Sequence, residues 1–478
     1  MLLRILSLAL FLAVLLPIGT FAAPAAKDER RDFRGWINNV GDSIRNIVRP
    51  SPSNSAHATT TSSPSRSSPA RPSATPLPRS NNNNLAAAHP LSFVPLRAAV
   101  TANPNSDGDF DAATEIPSLT RLETAFGKFE RKFDALPKSG EAPQLPWTST
   151  YWPSTYDGIN YRWKSPDIGS PVEKYAIAFN ISSRALGNLV SKQQGIDTSW
   201  HTKQCVGDFS CSSGDRCVSR RGSDIKLCVA DWEGICDGWT AAALLMPEPR
   251  CAVTFNGVKF NVADLKGLMS SFFASDSGSH YFSMSMSGRC NVEDPNTDRN
   301  GYYSDPNCGD ATAGMFHIFI TNMLGRLKKP FAFDRETSAQ VWNQPVHGYQ
   351  IMKTQTLSRF FAQTRLGFNY KLDPNAVKFV YVELAVKWIT EVEYFDEMNL
   401  NYRDNMDVLQ KTLKTTSYEY VLELNAAGEI IGGGWVQGSK NRQPDFMWVP
   451  TGADKGASAF GAIKFAELEK LWAQAVNC

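Results

Sequence analysis

Trp232-Glu233-Gly234-Ile235-Cys236-Asp237-Gly238-Trp239-Thr240, running on into Ala241-Ala242-Ala243-Leu244-Leu245-Met246, is the stretch from which the rest of the chain can be read. Gly234 marks a turn, good helix formers follow Cys236, and Pro247 ends the run. Cys236 therefore falls at the N-terminal end of a short helix, where unsatisfied N–H groups and the helix dipole favour an anion. A thiol in that position loses its proton more readily, which is one common way to make a cysteine nucleophile. The competing reading is a half-cystine in a cysteine-rich region.

The 478 residues, 42% of them hydrophobic, are enough for one large domain or two ordinary ones. A net charge of +2 gives no support for a nucleic-acid partner. Residues 1–22 read as a secretory signal: Arg4 supplies the positive end, Ile5 to Ile18 the apolar run, and Thr20-Phe21-Ala22 the cleavage site. No later stretch approaches the roughly 20 apolar residues of a membrane span. An exported, non-membrane protein is expected, and export licenses disulfides.

Residues 23–50 form a charged leader or pro-segment, and 51–90 a disordered linker rich in Ser, Thr, Pro and Asn. Residues 91–478 are expected to fold as one domain. Leu119, Leu122, Phe126, Phe129, Phe133 and Leu136 recur at helical steps and predict a helix ended by Pro137. A second helix starts at Pro171-Val172-Glu173 and runs through Tyr175, Phe179 and Leu186. It carries the sequon Asn180-Ile181-Ser182, which is shielded if that face packs inward. Strands are predicted over Met315 to Met323, Phe331 to Phe333, Phe379 to Ile389, Tyr418 to Leu424 and Ile430 to Val436, the last two joined by a hairpin at Asn425-Ala426-Ala427-Gly428. A final helix spans Ala459 to Val476. Helices first and strands later make an α+β order.

Cysteines 205, 211, 217 and 228 crowd a segment poor in hydrophobic residues, and their spacings fit no zinc knuckle or ribbon. A disulfide-stapled loop is the reading. The total of nine cysteines is odd, so an exported chain leaves one thiol over. The count does not choose Cys236; its helix-start context does.

A cysteine nucleophile needs a base and a group that orients the base. Of six histidines, His57 and His89 lie in or beside the linker, and His201 and His280 precede no evident strand. His317 sits in an apolar, β-like run and is the candidate base, with a buried core histidine as its alternative. Asp334 ends the next strand, where an antiparallel neighbour would lie beside His317 and hold its tautomer. Asn343 is the competing orienter.

At these residues the chain resembles a family, the oomycete transglutaminase elicitors. Trp232 to Trp239 is similar to their nucleophile segment, Gly314 to Arg326 to their histidine segment, and Phe333-Asp334 to their acidic strand end. Val341-Trp342-Asn343-Gln344-Pro345-Val346-His347-Gly348-Tyr349 resembles the surface peptide by which plant hosts recognise these enzymes, with His347 where the family usually has arginine. The resemblance covers roughly residues 115–478.

It implies a papain-like core with N-terminal helices and a C-terminal antiparallel sheet, and a Cys236–His317–Asp334 triad forming a thioester with protein glutamine and passing it to a lysine amine or to water. It also implies cross-linking at a cell wall or surface, and a plant receptor for residues 341–353. Trp239 and Trp342, with Asn343, are the residues that would line the substrate, although a core role is open for each tryptophan. The resemblance further implies calcium. Asn296 to Asn307 carries oxygen-bearing side chains at loop positions 1, 3, 5 and 9 and glycine at 6, with Asp298 and Asn300 as candidate ligands. A turn-rich loop stapled by Cys290 and Cys308 is the alternative. Two further functions stay open: a secreted cysteine protease and a non-catalytic surface recognition protein.

Overall fold

The computed structural model describes residues 115–275, 281–287, 311–392, 395–399 and 405–478. The signal, leader and linker, His57, His89, His280, Asp298, Asn300, Cys290 and Cys308 lie outside the described residues.

Nine α-helices and twelve of the fourteen strands of the described residues organise the fold. The helices are α1 (Glu115–Phe126), α2 (Pro171–Ala178), α3 (Ser183–Gln194), α4 (Cys236–Leu245), α5 (Val262–Phe273), α6 (Ala313–Ile320), α7 (Arg359–Leu366), α8 (Met406–Thr412) and α9 (Phe465–Val476). The strands are β1 (Ser139–Glu141), β2 (Asp215–Ser219), β3 (Lys226–Ala230), β4 (Val253–Phe255), β5 (Val258–Phe260), β6 (Tyr281–Met286), β7 (Phe331–Asp334), β8 (Asn343–Leu357), β9 (Lys378–Ile389), β10 (Leu413–Leu424), β11 (Ile430–Trp435) and β12 (Met447–Ala453). Eight of them build one sheet in the order β11-β10-β9-β8-β7-β12-β6, with β1 paired to β8. Every pairing in it is antiparallel. The expected α+β class is what forms.

The sheet is covered on both faces, and side chains alternate between them. Ala332 and Trp448, which are register partners, join Trp239, Ile389 and the α5 residues in one apolar cluster. Their neighbours Phe331, Phe333, Met447 and Val449 join the α6 residues in another. Helix α4 packs on β7, β8 and β12 with α5 behind it, whereas α6 packs on β10 and β11. The sheet therefore separates α4 from α6.

Several expected boundaries move. Helix α1 stops at Phe126, because Gly127 takes φ +87° and turns the chain; Phe129 and Leu136 are buried beyond it on non-helical backbone. The second helix begins as expected, with Ser170 and Glu173 forming a capping box ahead of Pro171. It breaks at Asn180, φ +55°, and α3 starts anew behind the Ser182 cap. Asn180 is exposed in that break, so the sequon is not shielded. The run from Met315 is helical, not a strand: Thr312 caps α6 by accepting from the Met315 N–H, and the helix continues as a π-helical turn over Thr321–Arg326. Every residue of α6 is buried, so its sequence carries no polar face to reveal a period. The final helix begins at Phe465 rather than Ala459.

Cys205–Cys217 and Cys211–Cys228 staple the β2–β3 hairpin and the loop before it. Cys251–Cys478 fastens the end of the chain beside the segment that follows α4. Cys236 is the free cysteine of the described residues.

Candidate functional site

Two glycines let Cys236 reach its position. A Cβ on Gly234 would lie 2.5 Å from the Tyr151 carbonyl oxygen, and one on Gly238 only 2.1 Å from that of Ser270. The first lets the approach to α4 lie against the 151–154 segment, where the Ile235 N–H donates to the Tyr151 carbonyl at 2.7 Å. The second lets α4 lie directly on α5. Asp237, buried beside the cysteine, accepts from the Ser275 N–H at 2.9 Å and from its hydroxyl at 2.7 Å.

The thiol faces the start of β8. Cys236 Sγ donates to the Val341 carbonyl at 3.4 Å, and Asn343 Nδ2 approaches the sulfur at 3.6 Å. The Asn343 backbone N–H also donates to the sulfur. Trp448 Nε1, which can only donate, gives its hydrogen to Asn343 Oδ1 at 2.7 Å, so the amide nitrogen must face the sulfur. Thr240 Oγ1 donates to the Asn343 carbonyl at 2.9 Å. Residues from α4, β8 and β12 thus hold one asparagine against one sulfur.

The electrostatics differ from the expected low-pKa thiol. Burial pushes the Cys236 thiol well up, Asp237 adds to this, and the two Asn343 donors only partly oppose it. The helix start is where it was expected, but desolvation outweighs the dipole, and the resting sulfur is a protonated thiol.

Asp334 does not meet His317. Its register partner is Asn343, and it shares the face of Ala332, the α4 side of the sheet. Its Oδ1 accepts from the Trp342 N–H at 2.9 Å and the Glu336 N–H at 3.1 Å, which pins the loop that presents Val341 and Trp342. His317 lies on α6, on the opposite face, with Nδ1 2.8 Å from the Tyr420 hydroxyl and its ring stacked 5.5 Å from Phe133. Burial lowers its pKa to about 3, so it stays neutral. The expected Cys236–His317–Asp334 cluster is not assembled: Cys236 and Asp334 share a face, and His317 is behind the sheet.

Of the expected substrate residues, Asn343 touches the sulfur. Trp239 is wholly buried and donates to the Trp147 carbonyl at 3.1 Å, so it is core rather than wall. Trp342 is half-buried, edge-on to Tyr151 at 5.3 Å and under the Arg335 guanidinium at 5.4 Å.

Sequence reasoning missed Trp448 and Thr240 as site residues, and it set His201 aside. His201 Nε2 contacts Glu233 Oε2 at 2.5 Å and Nδ1 contacts Thr198 Oγ1 at 2.6 Å, tying the 196–201 loop to the approach to Cys236. His280 was set aside for want of a strand, yet β6 begins at the next residue. Among the described residues, Cys205, Cys211 and Cys228 form a cluster of metal-binding type, but all three sulfurs are committed to disulfides.

The fold and site define a disulfide-stapled α+β protein whose one free cysteine among the described residues stands at a helix start, gripped by an asparagine: the class of candidate cysteine-nucleophile proteins. The transglutaminase elicitor family model matches residues 118–478, and the chain belongs to that family. It is also similar to the crystal structure of the GP42 transglutaminase from Phytophthora sojae, at 32% identity over 76% of this chain and 98% of that one, with a TM-score of 0.64. Among curated proteins, none matches the chain.

Proposed function

We propose that the protein is a secreted transglutaminase. In the first half-reaction Cys236 Sγ attacks the side-chain carboxamide carbon of a protein glutamine. The S–C bond forms, the C–N bond breaks, and the amide nitrogen leaves as ammonia with the thiol proton. A lysine amine then attacks the thioester carbon: the isopeptide C–N bond forms, the S–C bond breaks, and the released Cys236 sulfur recovers a proton from the amine. The observation that carries the reading is the free Cys236 at the start of α4, with two Asn343 N–H donors on its sulfur. Those donors are poised to stabilise negative charge on sulfur or on the adjoining oxyanion. Burial of the sulfur favours the amine over bulk water as acceptor. Secretion is supported by the three disulfides.

The proton acceptor is the open part of this site. Val341 and Asn343 offer the sulfur a carbonyl and an amide, neither a base. His317 would need to cross the sheet. Ser275 donates to Asp237, and the Tyr281 ring lies 6.0 Å from that of Trp448; His280, between them in sequence, lies outside the described residues. His280→Gln is accordingly the variant to compare with His317→Gln.

The test is incorporation of a fluorescent amine into a glutamine-rich protein, with and without a calcium chelator. Wild-type chain should incorporate the amine without cleaving peptide bonds, and Cys236→Ala should not incorporate it. Peptide cleavage would mark a papain-like protease instead, and activity in Cys236→Ala would remove the nucleophile assignment. Loss of activity on chelation is the expected sign of calcium.

The elicitor role is proposed for residues 341–353. Trp342 and His347 are partly accessible and Gln350, Met352 and Lys353 are exposed or nearly so, whereas Asn343 to Val346 are buried in the sheet. A plant receptor acting on the folded chain would read the accessible positions. Trp342→Ala should then lower the defence response to folded protein; an unchanged response would remove Trp342 from the recognised set.

A further inference from the structure

An open cleft of about 790 Å³ lies among residues that the thiol chemistry does not use. It is bounded by the 155–170 loop, the starts of α2 and α3, and the tip of the β2–β3 hairpin. A cleft of this size accommodates a ligand of a few hundred daltons or more. The disulfide-stapled hairpin thereby has a place in the molecule: Cys205–Cys217 and Cys211–Cys228 fix the strands whose tip supplies Arg220 and Arg221.

The lining is cationic. It holds Arg162, Lys164, Arg184, Arg220 and Arg221 against the carboxylates of Asp157 and Glu173. Arg162 forks onto Glu173 at 2.8 and 2.6 Å, and Arg220 pairs with Asp157 at 3.3 Å and with Asp197 at 3.1 Å. These pairs consume both lining carboxylates. Lys164, Arg184 and Arg221 are exposed and remain as excess positive charge from three separate elements, a loop, a helix start and a hairpin. Beside them Tyr156 is 50% exposed, with its ring stacked at 4.7 Å on Tyr161, and both rings contact Phe395. Thr155, Ser165, Ser183 and Ser219 add hydroxyls to the wall.

We propose that this cleft binds an oligosaccharide of uronic acids. The exposed Tyr156 ring, backed by the partly buried Tyr161, presents a flat apolar surface to the C–H face of a pyranose, and the hydroxyls answer the sugar hydroxyls. Three cations on separate elements match carboxylates repeated along a chain better than a single phosphate, which would call for convergent donors. Of the lining residues only Ser219, the last of β2, belongs to a strand, so the cleft offers no length of strand edge along which an extended peptide could pair. Binding here does not depend on catalysis at Cys236, and the two readings fail separately.

The experiment is calorimetric titration of the mature chain with trigalacturonate at low ionic strength. Saturable binding with one site is expected, weakened by added salt. Arg184→Ala and Arg221→Ala should each weaken it about tenfold, as removal of one charge-assisted contact does. Tyr156→Ala should weaken it about fivefold by removing the ring surface. All three residues are exposed, and unchanged melting of the variants would show that the fold is intact. The fully methyl-esterified trimer should not bind detectably. The proposal is overturned if the trimer does not bind, or if it binds the Arg184→Ala/Arg221→Ala double variant as well as wild type. It is equally overturned if a glutamate-rich peptide binds more tightly with the same dependence on these arginines.

Discussion

The two faces of the central sheet hold the two residues from which a catalytic pair was expected, and they differ in kind. On the α4 face, Cys236, Thr240, Asp334, Asn343 and the Trp448 indole form a polar inlay in an apolar layer, and the hydrogen bonds described there converge on one sulfur or on the loop that faces it. On the α6 face, His317 is one polar ring among Phe133, Phe316, Tyr420 and their neighbours, with its Nδ1 on a tyrosine hydroxyl. Residue type alone makes both faces candidates. What separates them is whether neighbours aim donors at a reactive atom or enclose a polar ring in apolar side chains: His317 Nδ1 meets Tyr420, while its buried Nε2 has no hydrogen-bond partner among the described residues.

The largest effect short of removing the nucleophile should come from Asn343, which serves the polar face alone. Asn343→Ala removes the side-chain donor to Cys236 Sγ and leaves Trp448 Nε1 without its acceptor. Turnover in amine incorporation should fall about 10²- to 10³-fold, the usual consequence of losing one such donor. Folding stability should fall by only about 1–3 kcal/mol. Trp448→Phe keeps the ring and deletes its N–H, so it should lower activity less, by loosening the amide. Equal activity in Asn343→Ala and wild type would break the distinction between the faces.

Next in size is the fastening of the C-terminus. Cys251–Cys478 spans 227 residues, the longest closed loop in the described chain, against 12 and 17 for the hairpin pair. Cys251→Ser should cost about 2–5 kcal/mol, read as a drop in the denaturant midpoint. The bond tethers α9, whose Trp472 packs on Trp147, and Trp147 accepts the Trp239 indole hydrogen behind α4. Activity per folded molecule should therefore be more sensitive to this bond than to either hairpin bridge. If breaking Cys205–Cys217 harms amine incorporation more, the hairpin and not the terminus supports the site.

How much of this was legible in the chain follows the range of the interactions. Cys236 at a helix start could be read because Gly234, the alanine run and Pro247 are local signals. The strands over 379–389, 418–424 and 430–436 showed themselves by residue type and by the Asn425–Gly428 turn. Helix α6 was hidden because it is apolar all round, although Thr312, three residues before Met315, was a cap in plain view. The Asp334–His317 pairing failed for a different reason. Which residue faces Asp334 is decided by how β7 pairs with β8, and that register gives it Asn343. Asn343 was weighed as a partner for a histidine; the fold uses it to hold the sulfur.

The smallest expected effect on activity is also the sharpest test of the apolar face. His317→Phe should leave amine incorporation within about threefold of wild type, because the ring lies behind the sheet. It should cost about 1–3 kcal/mol at neutral pH through the unpaired Tyr420 hydroxyl. Its pH signature is distinctive. Burial lowers the folded-state pKa of His317 from the ordinary 6.5 of an imidazole to about 3, so between those values the unfolded chain takes up a proton that the folded chain refuses. Stability linked to this group is present above about pH 6.5 and is lost as pH falls toward 3, at up to roughly 1.4 kcal/mol per pH unit. His347, lowered to about 4 by burial, acts in the same direction and persists in the variant. Urea midpoints measured from pH 7 to pH 4.5 should therefore fall less steeply for His317→Phe than for wild type. An unchanged slope would mean that His317 can be protonated in the folded chain, and a collapse of activity at pH 7 without unfolding would return it to the catalytic side of the comparison.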